Sequence, residues 1–261
     1  MNILDLFSGI GGFSLGLERA GMRTVAFCEI DPHARKVLNK HWPDVPVFTD
    51  VSTLSKGDLS EQIDVIAGGF PCQDISAAGL GAGLSGSRSG LWFQYHRLIK
   101  EIQPHYAVIE NVSALRSRGL DQVLWSLAEI GYDAEWHCIP ANAVGAPHQR
   151  DRVWIVAYPQ SVISDERGHI NHQGARKVQQ PSGRICSLLA RPQHGRKSML
   201  CEDSFFQNGS VWPVEPNMGR VAHGVPNRVD RLKQLGNAVV PQIPELIGRA
   251  IMEYERAKTL G

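Results

Sequence analysis

Strand-like and helix-like hydrophobic patterns alternate along the first 157 residues. An apolar run at 2–7 ends at Ser8-Gly9 and is followed by a helical stretch through Leu15, Leu17 and Ala20, which Gly21 stops. Residues 24–28 predict a second buried strand. Residues 31–41 predict a helix with Asp31 as N-cap and Pro32 at its first position. Strands are predicted at 63–67 and 106–110, with a helical apolar stripe at 91–102 between them. Leu120, Val123, Leu124, Leu127 and Ile130 recur at helical spacing before Gly131, and 152–157 reads as a further buried strand. This alternation predicts an α/β layer fold with a largely parallel sheet.

The pattern changes at Tyr158-Pro159. From 159 to 233 apolar runs are few and Gln, Ser, Gly, Pro, Arg and His dominate, with 11 basic and 6 acidic residues. After Gly236-Asn237 the chain turns apolar again. A closing helix is predicted at 241–254, with Ile243, Leu246, Ile247, Ala250, Ile251 and Tyr254 on one side. The expected organisation is a main domain of 1–158 plus 234–261, interrupted by a small irregular domain at 159–233.

Composition narrows the class. Hydrophobic residues make up 43% of the 261 and charged residues 20%, an ordinary globular mix. No apolar stretch approaches the roughly 18 residues a membrane span needs, and the first residues lack the basic start of a secretory signal. A soluble, cytoplasmic protein is expected. The five cysteines are odd in number and none has CxxC spacing, which argues against a disulfide framework or a zinc ribbon. No metal is expected, because the His and Cys residues of 159–233 match no zinc spacing. The formal net charge of +1 hides an asymmetry: residues 1–140 carry 11 basic and 16 acidic residues, whereas 141–261 carry 16 and 10. An acidic half joined to a basic half suits a catalytic body with a polyanion-binding surface, and equally a chance distribution over solvated faces.

Several short segments carry candidate chemistry. Phe7-Ser8-Gly9-Ile10-Gly11-Gly12 follows a strand and opens a helix, so its glycines permit close approach of a ligand to free helix N–H groups. Glu29, 17 residues past Gly12, ends the second strand, where a carboxylate can take two ribose hydroxyls. A tight structural turn would use the same glycines. Gly68-Gly69-Phe70-Pro71-Cys72-Gln73 places Cys72 just past another strand, either as a nucleophile or as a buried thiol. The Ser-, Ala- and Gly-rich stretch 74–89 that follows suits a loop able to close over a substrate. Glu110 ends the next strand, at 106–110, as a general acid or as a salt-bridged carboxylate. Arg150 and Arg152 straddle the start of a later strand and can clamp an anion or a carbonyl oxygen, or form surface ion pairs.

Together these segments resemble the DNA cytosine-C5 methyltransferases of bacteria and phages. The matching elements, in the family's order, are DLFSGIGG, Glu29-Ile30-Asp31, Thr49-Asp50-Val51, GGFPCQDIS, SRSGLWF, ENV, QRDRVWIV and LGNAVVPQ. They run from residue 3 to about 158 and resume at about 231–250. The resemblance implies a Rossmann-like sheet that uses S-adenosylmethionine, with a small target-recognition domain at 159–233. It implies double-stranded DNA as partner, a monomer at work, and a possible cognate restriction endonuclease that it need not touch.

The same resemblance assigns roles. Cys72 is the expected nucleophile and Glu110 the acid at cytosine N3; Arg152 holds the O2 side of the base, supported by Arg150. Phe7 stacks on the cofactor's adenine, Gly9 and Gly11 admit its methionine part with Gly12 also at the cofactor, Glu29 takes the ribose hydroxyls and Asp50 the adenine amino group. Ile30, Val51, Pro71, Asn237 and Val239 complete the cofactor pocket, and Ser76 and Arg88 reach the DNA. One departure is His148, where many members carry Gln two positions before the first arginine. Cysteine suits the chemistry because it is both a nucleophile and a competent leaving group.

Three other readings compete. A tRNA cytosine-C5 methyltransferase of the same fold would differ around the nucleophile, and Gln73 directly after Cys72 follows the DNA enzymes. A non-catalytic nucleic-acid-binding relative would have no use for Cys72, Glu110 and Arg152 together. A nicotinamide dehydrogenase would leave the Pro-Cys-Gln and ENV elements unexplained.

Overall fold

The computed structural model describes residues 1–71, 90–160 and 237–260, so Cys72, Ser76, Arg88 and nearly all of the expected recognition domain lie outside the described residues. The described chain forms β1 (Asn2–Leu6), α1 (Gly12–Arg19), β2 (Arg23–Cys28), α2 (Pro32–His41), β3 (Val47–Phe48), β4 (Val65–Gly69), α3 (Leu91–Ile102), β5 (Tyr106–Val112), α4 (Leu115–Arg118), α5 (Leu120–Glu129), β6 (Tyr132–Pro140), β7 (Asp151–Pro159) and α6 (Gln242–Leu260). The seven strands make one sheet in the order β3-β2-β1-β4-β5-β7-β6. The first five are mutually parallel, while β7 runs antiparallel to both β5 and β6.

Alternation along the strands separates two apolar layers. Leu4, Leu6, Ile66, Ala107, Ile109, Val153 and Ile155 face one side and pack with Trp92, Tyr95, Leu98 and Ile99 of α3 and Val123 and Leu127 of α5. Ile3, Val65, Ala67, Val108, Trp154 and Val156 face the other and pack with Phe13 and Leu17 of α1 and Ile243, Leu246, Ile247 and Ile251 of α6. Helices on both faces bury the sheet on both sides, which is why its strands read as nearly continuous apolar runs.

α1 and α6 meet unusually closely. A Cβ at Gly16 would stand 2.2 Å from the Pro241 carbonyl oxygen, and one at Gly12 would stand 2.8 Å from Val239 Cγ2. The far end of the chain is therefore seated directly against the first turn. Beneath that turn Asp5 is fully buried. Its Oδ2 accepts hydrogen bonds from the Ser14 hydroxyl (2.7 Å) and the Ser14 N–H (3.2 Å). Burial, with Glu29 and Glu18 nearby, pushes the Asp5 carboxyl up to about 8 against the opposing Ser14 bonds.

The strands and helices expected within 2–158 and at 241–254 are all present, with shifted edges. β4 begins two residues later than the apolar run at 63–67 suggests, because the Asp64 carboxylate takes the Asn2 N–H at 2.7 Å and leaves Ile63 packed in the loop before the strand. Two strands go beyond the sequence reading. β3 is only two residues long, and β6 is an edge strand in which apolar Tyr132, Ala134, Trp136 and Cys138 alternate with polar Asp133, Glu135 and His137. Glu135 is nonetheless buried, its Oε1 accepting the Tyr158 hydroxyl at 2.8 Å.

Candidate active site

The predicted site residues that follow the described strands lie at one edge of the sheet. The turn after β1, Glu29 after β2, Asp50 after β3, Gly69–Pro71 after β4 and Glu110 near the end of β5 all stand at the carboxyl ends of parallel strands, where α/β sheets build their sites. β7 joins them by running the other way. Its first residues meet the last of β5, with Arg152 opposite Val112, so an antiparallel strand delivers its beginning to the edge where its neighbours end.

On one side of this edge the turn after β1 is pinned open. Phe7 has φ 53, and its ring stacks on Tyr95 of α3 at 6.3 Å. Gly9 (φ 53) and Gly11 (φ 86) follow in the left-handed region that glycine tolerates. The Gly9 N–H donates to Glu29 Oε2 at 2.7 Å, and the Asp31 N–H donates to Glu29 Oε1 at 2.8 Å. Glu29, only 9% exposed, is thus held by backbone with its carboxylate at the turn. Among the described residues nothing lies within 4 Å of where a Cβ on Gly9 would stand and no side chain caps α1, so the turn has both room and helix N–H donors. These features fit a nucleoside cofactor with an anionic tail: acceptors for ribose at Glu29 and donors for a carboxylate at α1.

The pocket's flanks are equally specific. Ile30 is 75% exposed beside Glu29. Asp50 is exposed, and its Oδ1 accepts the Ser52 N–H and hydroxyl, which hold its carboxyl below the usual range. Val51 points its side chain into the core. Pro71 and Asn237 are exposed, and half-buried Val239 packs on Gly12.

On the other side stands a buried acid. Glu110 Oε1 accepts a hydrogen bond from Arg152 Nε at 2.8 Å. Burial raises the Glu110 pKa, and the Arg152 and Arg150 guanidiniums oppose that rise without cancelling it. Arg150 is half-buried; desolvation and the like charge of Arg152 lower its own pKa. His148 is exposed.

Two residues with no role in the sequence reading hold this half together. Gly69 lies opposite Glu110 in the β4–β5 ladder, and a Cβ there would stand 2.5 Å from Glu110 Oε2. Buried Asn111 donates from Nδ2 to the Phe70 carbonyl at 2.9 Å, and its Oδ1 accepts the Val112 N–H. The segment that leads into Cys72 is therefore tied to the strand that carries the acid. The double glycine before Phe70 and the Asn of ENV were the available signals. Of the two described cysteines, Cys28 is buried and pushed up to about 12 by that burial, which removes it as a nucleophile. Among the described residues no His, Cys, Asp or Glu cluster could hold a metal, and no helix is long and apolar enough to cross a membrane.

Residues 1–216 match the family model described as C-5 cytosine-specific DNA methylase. The chain is 38% identical over 165 residues to Type II methyltransferase M2.BsuMI of Bacillus subtilis, a match covering 60% of this chain and 42% of that protein. It is 32% identical over 196 residues to Orphan methyltransferase M.SPRI of Bacillus phage SPR, covering 72% and 44%. The chain thus spans less than half the length of these curated relatives. Among solved structures it is similar to one described as a DNA modification methyltransferase encoded within an E. coli prophage, at 31% identity and TM-score 0.51, over 62% of this chain and 47% of that one. The Spodoptera frugiperda DNMT2 structure, at 20% identity and TM-score 0.53 over 73% and 60%, shares the fold. By its sheet, by the edge at which its polar residues gather and by these matches, the chain belongs to the C-5 cytosine-specific DNA methylase family.

Proposed function

We propose that this chain transfers a methyl group from S-adenosylmethionine to C5 of a cytosine flipped out of double-stranded DNA. The observation that carries this reading is the buried Glu110 carboxyl, paired with Arg152 at 2.8 Å and roofed by Gly69, three residues before Cys72. A buried acid with a raised pKa, two guanidiniums and a following cysteine suit a reaction that must protonate a ring nitrogen while a thiolate adds to the ring.

The Cys72 sulfur attacks cytosine C6, forming a C–S bond, and the displaced ring electrons are met at N3 by the Glu110 proton. Arg152 holds the O2 side of the base and keeps the Glu110 carboxyl oriented, with Arg150 behind. S-adenosylmethionine, held by Glu29 and the turn at Gly9–Gly12, would supply an activated methyl for the electron-rich C5 and would leave as S-adenosylhomocysteine. Loss of the C5 proton to solvent then breaks the C6–S bond, returning the thiolate to Cys72 and the N3 proton to Glu110. Glu29, Asp50, Phe7, Gly9, Gly11 and Gly12, with Ile30, Pro71, Asn237, Val239 and the backbone of Val51, form the donor site. Extruding the base costs a few kcal/mol, and Ser76 and Arg88 contribute to holding it out. Residues 159–233 supply the Arg and Gln side chains that read a short site. One extruded base addresses one pocket, so a monomer suffices, and a cognate restriction endonuclease need make no contact with it.

The test uses labelled donor with duplex DNA and tRNA in parallel. Expected are 5-methylcytosine in the duplex, none with Cys72→Ala, a loss of at least about 10²-fold with Glu110→Gln, and a covalent adduct with duplex containing 5-fluorocytosine. Label in tRNA alone, or undiminished turnover by Cys72→Ala, would overturn the reading.

A further inference from the structure

The turn that carries Asp50 is not held by its own strand, because β3 ends at Phe48 after only two residues. It is held from the other side by α3. The Arg97 guanidinium donates from Nη2 to the carbonyls of Val51 (3.0 Å) and Leu54 (2.8 Å), from Nε to Gln94 Oε1 (2.9 Å) and from Nη1 to Glu101 Oε2 (3.0 Å). One turn further along the helix, Glu101 Oε1 accepts the Lys56 N–H at 2.8 Å. An arginine and its i,i+4 carboxylate therefore grip residues 51–56 at three backbone points. Inside that grip Asp50 is a bend: its carbonyl accepts the Thr53 and Leu54 N–H groups, and its carboxylate is folded onto Ser52. With the backbone at 51 and 54 fixed and the side chain fixed by Ser52, little freedom is left for where the Asp50 carboxylate stands.

We propose that Arg97 is a positioning residue for the adenine end of the donor site: it sets selectivity for the 6-amino group of adenine by holding Asp50 in place, without touching the ligand. The inference rests on the proposed donor site. A guanidinium is the side chain this task needs, because its planar fork reaches two carbonyls and two side chains at once, whereas an ammonium is a point charge. The same helix carries Tyr95, which backs Phe7, so α3 braces both residues expected around the adenine.

The experiment measures dissociation constants of S-adenosylhomocysteine and S-inosylhomocysteine, in which oxygen replaces the 6-amino group, for the unaltered chain, Arg97→Met and Arg97→Lys. The unaltered chain should prefer the adenosyl ligand by about tenfold, the value of one hydrogen bond to a charged group. Arg97→Met should lose that preference while binding the inosyl ligand as before, and Arg97→Lys should retain part of it. An equal weakening for both ligands, or no change in either, overturns the proposal and leaves the donor site standing. If the unaltered chain binds neither ligand, the donor site falls and the proposal falls with it.

Discussion

Glu110 illustrates how a residue acquires its chemistry from a neighbour across the ladder. Its place at a strand end was readable from spacing, but its burial and its orientation depend on Gly69, which sits opposite it and leaves the space that its carboxylate fills. Gly69→Ala would put a methyl group 2.5 Å from Oε2 and drive the carboxyl off Arg152. Misplacement by about 1 Å costs on the order of 10²-fold in rate. We expect a loss of that size in kcat with a nearly unchanged thermal midpoint, measured on the same preparation; full activity would show that the carboxyl has room to spare. Asn111 makes the same point. The sequence shows the tripeptide ENV, but that its middle residue reaches the Phe70 carbonyl is a fact of register, which one-dimensional spacing does not contain.

At the scale of elements, the buried parallel strands were legible because a sheet covered on both faces writes continuous apolar runs. The edge strand β6 carries a different signature, Tyr132, Ala134, Trp136 and Cys138 alternating with Asp133, Glu135 and His137, which no continuous apolar run announces. The helices were read from their apolar stripes, and Asp31 does cap α2, accepting the His33 N–H at 2.7 Å. What no stripe announces is how tightly two helices dock. Gly16 lets α6 approach until the Pro241 carbonyl stands 2.2 Å from the missing Cβ. Gly16→Ala should therefore destabilise the fold by about 1–3 kcal/mol, the usual cost of overpacking, and should weaken donor binding as Val239 withdraws from Gly12. Urea denaturation with a donor-binding titration checks both, and a variant as stable as the parent would mean that the helices part without cost.

For the whole molecule, stability should carry the signature of Asp5. Its carboxyl is raised from the ordinary 3.8 to about 8 when folded, so the folded state favours the protonated form. That contribution is fully present below about pH 4 and is lost as pH rises toward about 8, since the unfolded chain ionises first. Groups facing Asp5 are Ser14 and Glu18 of α1, Cys28 and Glu29 at the end of β2, and Tyr95 of α3. Asp5→Asn should flatten the decline between about pH 5 and about pH 8, a difference on the order of a few kcal/mol; denaturation curves with parallel slopes for parent and variant would refute it. Such a group is invisible in a hydropathy profile, where DLF reads as the end of an apolar run. The sheet has one more property that linear reading hides. α6 starts against the glycines of α1 and, further along, Glu255 takes the Tyr106 hydroxyl at the amino end of β5, while Met1 and Tyr254 rest on one apolar cluster. The last described helix thus runs back toward the level at which the first strand begins. A permuted gene that placed this helix ahead of β1 should therefore keep its contacts with α1 and β5.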